Sequence, residues 1–316
     1  MSNAPTISIL VVTYNHEAYI GQCLDSILMQ QTAVDFEIIV GEDCSSDNTR
    51  KICEDYAQKY PDKIRLFLRS REDVIYINGR PTGRFNMIQN LKAAKGDYIA
   101  VIEGDDYWTD PHKLQKQLDF LKNNEQCSLC CHAQVKELNG DRIADPRTDN
   151  LKDGGLYKAS DLFAFQLQPQ LRTVFFKNCL SPQEIEGDFF RTSIYGDFAL
   201  CFMLAKYGQI GFVDEVMAVY RLHEQGYAAR SLKTDMDYAN SRLELVKIWC
   251  QARAFSEVDR AAFKKGVMKL YGQVIARIGR KKALTKTLIH WNKMSVPLWW
   301  SLDISFSLKR KILFNS

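Results

Sequence analysis

Four apolar runs rich in β-formers alternate with amphipathic stretches over the first hundred residues, and this alternation limits the fold more than any other feature of the chain. Residues 6–12 form the first run, Asn15 to Glu17 interrupt it, and residues 19–29 place Ile20, Cys23, Leu24, Ile27 and Leu28 at helical spacing. The pattern continues with a strand over 36–40, a helix over 48–59 that Ser45-Ser46-Asp47 can cap, a strand over 64–68, a helix over 86–94 and a strand over 97–102. Strands and helices of this length predict a mostly parallel sheet with both faces covered. Ligands of such sheets sit beyond the carboxyl ends of the strands. Three of those ends carry polar clusters, Thr13-Tyr14-Asn15, Glu42-Asp43 and Glu103-Gly104-Asp105-Asp106, which the topology brings to one rim.

Farther along, Leu114, Leu118 and Leu121 mark an amphipathic helix, and residues 128–135 a strand. Cys127, Cys130 and Cys131 read as buried strand residues, because no second pair follows at the spacing of a zinc finger. Residues 136–158 are polar enough to be a loop, residues 197–207 form a helix ended by Gly208, and strands are expected over 210–213 and 215–220. From about residue 232 the chain reads as helices. A length of 316 residues fits about two domains, and 46% apolar with 25% charged residues excludes disorder, collagen and a minimal disulfide scaffold. The apolar runs fall short of the ~20 residues of a membrane span, and the start of the chain lacks a basic-then-apolar leader, so a cytoplasmic protein is expected. Nine cysteines, an odd number, fit reduced thiols there.

No glycine-rich phosphate loop of the dinucleotide or P-loop type is present, which excludes a nicotinamide dehydrogenase and a P-loop enzyme. A nucleoside diphosphate on this rim would need its charge neutralised by a cation held on carboxylates. Glu103-Gly104-Asp105-Asp106 can provide that: three carboxylates within four residues repel one another unless a hard cation sits among them, and Gly104 lets the backbone turn. Residue types alone equally allow an acidic turn ahead of the helix near Pro111.

Taken in order, Thr-Tyr-Asn-His at 13–16, Glu-Asp-Cys-Ser-Ser-Asp-Asn-Thr at 42–49, Lys-Gly-Asp-Tyr-Ile leading to Glu-Gly-Asp-Asp-Tyr-Trp at 103–108, Gly196-Asp197 and Tyr220-Arg221-Leu222-His223 resemble a family 2 glycosyltransferase over residues 5–226. The resemblance implies a GT-A fold, in which residues 1–110 bind a nucleotide-sugar, 111–226 bind the acceptor, and 227–316 form a basic helical extension. It implies Mn²⁺ or Mg²⁺, and inverting transfer of a sugar from a UDP-sugar to a saccharide or lipid-linked saccharide, in surface polysaccharide assembly. Thr13 and Tyr14 match the nucleotide contact of the first strand. Asp43 matches the acceptor for the base, where a carboxylate suits the N3–H of uracil. Glu42 stands where the family usually has Asp. Glu103 replaces the first acid of the Asp-x-Asp motif, Asp105 would face ribose and cation, and Asp106 would ligate the cation. Asp197 matches the base that takes the acceptor's proton, with Asp188 and Glu186 as competitors and an N-cap as the plain alternative. Arg221 and His223 match the segment that closes over the diphosphate, and Arg84 and Asn86 occupy the loop where the family often has Asn.

From Arg260 onward thirteen Lys and Arg face one acid, Asp303, a charge of +12 that leaves −8 for residues 1–259. Phe263, Val267, Leu270, Val274 and Ile278 recur at helical spacing, with Trp291, Trp299, Trp300 and Lys309-Arg310-Lys311 beyond them. That pattern suggests either an anionic membrane surface or a helical cap with a solvated basic face. Nucleic acid is not expected, since the rest of the chain is acidic and holds no recognised module. Two rivals remain on sequence grounds. A sugar nucleotidyltransferase would need a Gly-rich first loop with Arg and Lys, and a catalytically silent binding module would not need Asp105, Asp106 and Asp197 together.

Overall fold

The computed structural model describes residues 5–149, 151–164, 166–224, 226, 234, 240, 242, 244–245 and 260–279. Two units divide the chain, one of residues 1–159 and 167–222, the other of residues 160–166 and 223–316. The first begins with β1 (Ile7–Thr13), α1 (Ile20–Leu28), β2 (Phe36–Glu42), α2 (Thr49–Lys59) and β3 (Ile64–Leu68). A small hairpin of β4 (Tyr76–Ile77) and β5 (Arg80–Pro81) leads to α3 (Arg84–Ala93), β6 (Tyr98–Glu103) and β7 (Tyr107–Trp108). Then come α4 (Lys113–Asn123), β8 (Cys127–Leu138), β9 (Asp141–Ala144), β10 (Leu156–Tyr157), α5 (Ala159–Phe163), which belongs to the second unit from Ser160 on, and β11 (Phe175–Lys177). Next are α6 (Pro182–Glu186), α7 (Asp188–Thr192), α8 (Gly196–Leu204) and β12 (Gln209–Leu222).

One sheet runs in the order β10-β12-β8-β11-β6-β1-β2-β3. Its β6-β1-β2-β3 half is parallel, with Ile9 of β1 lying between Ile38 of β2 and Ala100 of β6. β11 enters antiparallel between β6 and β8, and β12 lies parallel to β8. The mostly parallel, helix-covered sheet expected from the sequence is therefore present. β1 is central because its residues are apolar on both faces: Ile9, Leu10 and Val11 are unexposed, and Ile9 and Val11 pack with Ile20, Cys23, Leu24 and Ile27 of α1 in the core that also takes Leu114, Leu118 and Leu121 of α4. Each such side chain contributes about 1.5–3 kcal/mol by leaving water. Cys127, Cys130 and Cys131 are buried in β8.

The expected loop over 136–158 is partly strand. β8 continues to Leu138 and turns at Asn139 (φ 53°) and Gly140 (φ 89°) into β9, a two-residue hairpin that an Asn-Gly pair is suited to make. All four residues of β9 are exposed, so its polarity reflects an edge strand. The two strands expected over 210–220 form one, β12, with an irregular pairing between Val213 and Val216. In the second unit the helix Arg260–Ile278 has Val267, Leu270 and Val274 at 0% exposure, with Lys265 and Lys269 exposed. The middle of the apolar stripe is covered by protein and not offered to lipid. Trp291, Trp299, Trp300 and Lys309-Arg310-Lys311 lie outside the described residues, and no described helix is long and apolar enough to cross a membrane.

α3 is bolted to the carboxyl ends of β1 and β2 by amides. Asn86 Nδ2 donates to the Gly41 carbonyl at 2.7 Å, Asn90 Nδ2 to the Val11 carbonyl at 2.9 Å, and Arg69 Nη2 donates to Asn90 Oδ1 at 2.9 Å. A Cβ on Gly41 would stand 1.9 Å from Asn86 Oδ1, so only glycine leaves room. Arg84 and Asn86, expected in a loop, belong to the first turns of this helix. Asn90→Ala removes a fully buried amide and is expected to cost about 1–3 kcal/mol, read as a fall in Tm of about 2–4 °C per kcal/mol.

Candidate active site

The loops that follow β1 and β2 are clasped to each other before any ligand arrives. Asn15 N–H donates to Ser45 Oγ at 2.9 Å, Ser46 N–H to Asn15 Oδ1 at 2.8 Å, His16 N–H to Thr49 Oγ1 at 2.7 Å and Asn48 N–H to Glu17 Oε2 at 2.9 Å. The clasp holds Asn15 and Cys44 in the left-handed region, at φ 54° and 58°. Asn adopts that conformation readily, whereas Cys44 is strained beside Asp43. Glu42, expected to contact the nucleotide, is instead fully buried, with Oε1 accepting from Ser45 N–H at 2.6 Å and Oε2 from Arg50 Nε at 2.6 Å. Its longer arm reaches back to brace the loop.

Thr13, Tyr14 and Asp43 meet at the mouth of this clasp. Asp43 is 2% exposed; Oδ2 accepts from Arg71 Nη1 at 3.1 Å, while Oδ1 is buried with no partner. Burial pushes its pKa up to about 6, against the pull of Arg71. The Arg71 guanidinium also lies 4.1 Å from the centre of the Tyr14 ring. A flat, π-rich corner thus adjoins one carboxylate oxygen in need of a donor.

At the end of β6 the chain turns through Gly104, where a Cβ would come within 2.5 Å of Thr13 Oγ1 and 2.9 Å of His16 Nδ1. The glycine is required for this close approach, since its φ is not positive. The acids around it differ in burial and in partners. Asp106 is 0% exposed: Oδ1 accepts from Arg221 N–H at 2.9 Å and Oδ2 from Arg172 Nε. Each oxygen thus accepts one hydrogen bond from the protein, which braces Asp106 between the Arg221 backbone and the Arg172 guanidinium. Glu103 has a 38% exposed side chain and accepts from Arg172 Nη2 at 3.1 Å. Desolvation pushes its pKa up to about 6; Arg172 opposes this, and Asp105 and Asp197 add to it. Asp105 is half-buried, with Oδ2 3.7 Å from His16 Nε2. Among the described residues no three His, Cys, Asp or Glu side chains form a ready-made cation cage.

Arg172 carried no motif that could have drawn attention to it. Its guanidinium, buried at 4% exposure, joins Asp106, Glu103 and Gln134 Oε1 (3.1 Å) and stacks 4.1 Å from the centre of the Tyr220 ring. Arg221, expected on the diphosphate, gives three of its five donors to the protein: Nη1 donates to the Asp105 carbonyl at 2.8 Å, Nε to Glu137 Oε1 at 3.3 Å, and Nη2 to Gln22 Oε1. Its charge organises the cluster from behind. His223 opens the second unit, and its place relative to the cluster is not a property of the first.

Asp197 lies in the first turn of α8, its Oδ1 accepting from Phe198 N–H at 2.9 Å. Burial raises its pKa, and the Phe198 amide, Arg172, Arg147 and Arg84 lower it. Gly196 lets the Arg84 guanidinium pass beneath the start of α8, since a Cβ there would stand 2.5 Å from Nη2. Arg84 in turn donates to the Ser193 carbonyl at 2.9 Å and to the Phe190 carbonyl, so it fixes the entry to the helix. The competitors are solvated: Asp188 is exposed, and Glu186 pairs with Lys92 at 2.5 Å with nearly half its side chain exposed. Thr13, Tyr14, Asp43, Glu103, Asp105 and Asp197 remain as side chains with capacity to spare on one rim; Arg71 and Arg172 are the members that sequence reasoning missed.

Residues 8–178 match the model of glycosyl transferase family 2. An uncharacterized protein of Mycobacterium tuberculosis is 32% identical over 220 residues, 70% of this chain but 60% of its own length, so the chain spans less than two thirds of that relative. Among solved structures, S. aureus TarS 1-349 in complex with UDP-GlcNAc aligns over 97% of this chain and 81% of its own, with a TM-score of 0.60 at 15% identity. The mannosyltransferase PcManGT from Pyrobaculum calidifontis, in complex with GDP-Man and Mn²⁺, aligns over 99% and 82%, with a TM-score of 0.60 at 16% identity. These two likenesses concern the GT-A fold.

The buried Asp43 carboxyl links this site to stability. Its folded pKa of about 6 exceeds the unfolded value near 3.9, so the native state gains stability below pH 4 and loses it as pH rises through 6, by about 3 kcal/mol in all. Asn cannot ionise. Urea unfolding of Asp43→Asn and the native protein at pH 4 and pH 7.5 should show the variant gaining on the native protein by about that amount at the higher pH.

Proposed function

Because the chain belongs to glycosyl transferase family 2, we propose that it moves a sugar, with inversion, from a UDP-sugar to a saccharide or lipid-linked saccharide in surface polysaccharide assembly. The observation that carries the donor is Asp43 Oδ1, a buried acceptor with no protein partner beside the Tyr14–Arg71 pair. A uracil N3–H would satisfy it while the ring lies against the aromatic corner; cytosine offers no donor at that position. The raised pKa of Asp43 supports the same reading, since the carboxylate is held in a place that disfavours its charge.

The residues present fit a divalent cation. Mg²⁺ and Mn²⁺ complexes of nucleotides need one or two carboxylates, the rest of the shell coming from phosphate and water, and Asp105 with Glu103 beside it are the acids left for that purpose. When bound, the ion would neutralise the diphosphate and the charge that develops on the departing UDP. Asp197 accepts the proton of the attacking hydroxyl as that oxygen closes on the anomeric carbon opposite the UDP. Burial helps by raising its basicity, which brings a carboxylate nearer the pKa an efficient base needs. Arg172 keeps Glu103 in place and Arg84 fixes the helix that carries Asp197, so both act through their neighbours. The exposed Lys265 and Lys269 of the helix Arg260–Ile278 support contact with an anionic surface through charge alone, its central apolar stripe being covered.

A thermal-shift panel of nucleoside diphosphates and their sugars, with and without Mn²⁺, should show the largest stabilisation with a uridine nucleotide and Mn²⁺ together. Asp105→Ala is expected to abolish the Mn²⁺ contribution, whereas Asp106→Ala should lower Tm and leave the protein that remains folded responsive. Asp197→Asn should bind the UDP-sugar within about threefold of the native protein and lose about 10²- to 10⁴-fold in transfer. Transfer persisting within a few fold would move the base to another acid, and a panel silent for every nucleotide would overturn the reading.

A further inference from the structure

His16 stands where the first loop meets the acidic turn, and its ring lies against Asp105. Its backbone is fixed on both sides: the N–H donates to Thr49 Oγ1 at 2.7 Å, and the carbonyl accepts from the N–H groups of Tyr19 and Ile20, each at 2.9 Å. The imidazole is held as well. Nδ1 lies 3.2 Å from Oγ1 of Thr13, a buried residue. Gly104 lets the acidic turn approach this ring, since a Cβ there would stand 2.9 Å from Nδ1. The other nitrogen, Nε2, is 3.7 Å from Asp105 Oδ2. Both side chains keep some contact with solvent, at 18% and 16% exposure, so the gap between them is reachable from outside.

That separation is too long for a hydrogen bond and short enough for the two atoms to share an ion. Two donors about 2.1 Å from one octahedral ion stand about 3.0 Å apart when adjacent and about 4.2 Å when opposed, and 3.7 Å falls inside that range. Thr13 supplies what a metal-bound imidazole needs behind it. Its hydroxyl can accept from Nδ1–H, and in that tautomer Nε2 carries its lone pair on the side of Asp105. Glu103, the other acid with an exposed carboxylate, is drawn towards Arg172 Nη2 at 3.1 Å. A carboxylate with an imidazole selects ions differently from two carboxylates. Mg²⁺ seeks oxygen and gains little from a ring nitrogen, whereas the gain grows from Mn²⁺ to Co²⁺ and Ni²⁺.

The geometry points to His16 Nε2 and Asp105 as joint protein ligands of the cation that accompanies the nucleotide, a pair that biases the site towards Mn²⁺ and Co²⁺ and away from Mg²⁺. The assignment rests on the transferase reading above. Two readouts on the full chain test it, neither of them transfer. Electron spin-echo envelope modulation of Mn²⁺ bound together with UDP detects nitrogen coordinated to the ion. The native protein should show it, and isotope-labelled histidine should shift it. The signal should fall in His16→Ala and His16→Gln and persist in His223→Gln. Calorimetry then compares Co²⁺, Mn²⁺ and Mg²⁺ on the UDP-loaded protein. His16→Ala should weaken Co²⁺ by roughly tenfold or more and Mg²⁺ by less than about threefold, with Mn²⁺ between them. Both substitutions leave the backbone bonds of His16 in place, and the native spectrum tests the assignment without any variant. Three results would overturn it: no histidine nitrogen on the ion in the native protein, a signal undiminished in both His16 variants, or Co²⁺ and Mg²⁺ weakened alike in His16→Ala. A protein that binds Mn²⁺ with UDP but shows no histidine nitrogen fails this proposal alone; one that binds no UDP in the presence of Mn²⁺ fails the transferase reading as well.

Discussion

One buried guanidinium fixes the geometry of the site. Arg172 reaches Asp106 and Glu103 at the end of β6, Gln134 of β8 and the ring of Tyr220 on β12, so one side chain ties three strands together. Its own backbone carbonyl accepts from Trp108 Nε1 at 3.1 Å, so β7 is tied in as well. Taking such charges out of water offsets most of the attraction between them, and a cluster of this kind adds little to net stability. What it adds is position. With Asp106 neutralised from two sides, Glu103 and Asp105 are left to face solvent at defined places, and an acidic turn that would otherwise repel itself is rigid before any cation arrives.

A second constraint is the lack of space. Gly41, Gly104 and Gly196 each sit where a Cβ would overlap a polar side chain, Asn86, Thr13 and Arg84 respectively. None of the three has a positive φ, so the requirement is for close approach and not for an unusual turn. Each draws a loop of the rim against the element behind it: β2 against α3, the acidic turn against the first loop, and α8 against the Arg84 side chain. The carboxylates at these places are thereby spaced by packing, which varies little, and not by flexible connections.

The buried acceptors show what the fold sustains for the sake of its site. Asp43 Oδ1 and His132 Nε2 are both buried without a partner, and both would be cheaper as apolar atoms. Asp43 lies in the corner with Tyr14 and Arg71, and His132 within β8. That Asp43 keeps such an oxygen at the carboxyl ends of the strands is consistent with stability being given up where ligands bind.

The alternation of apolar runs and amphipathic stretches was enough to determine β1, β2, β3 and β6, because a parallel strand buried on both faces must be continuously apolar and a helix that covers it must be apolar on one. The places of Thr13, Asp43 and Asp105 followed, since they stand at the ends of β1, β2 and β6, and Asp197 was placed by the start of the helix that follows it. Polarity misled at residues 136–144, where an edge strand needs no apolar face. It was also silent on Arg172 and Arg71, which lie in segments without periodicity or motif. The identity of Asp106 could be read in the sequence, but its partner could not: that depended on an arginine 66 residues away in the chain arriving at hydrogen-bonding distance. Local residue order determines which element forms and where it stops; which charge meets which carboxylate is set by contacts between distant parts of the chain, and only the tertiary structure decides them.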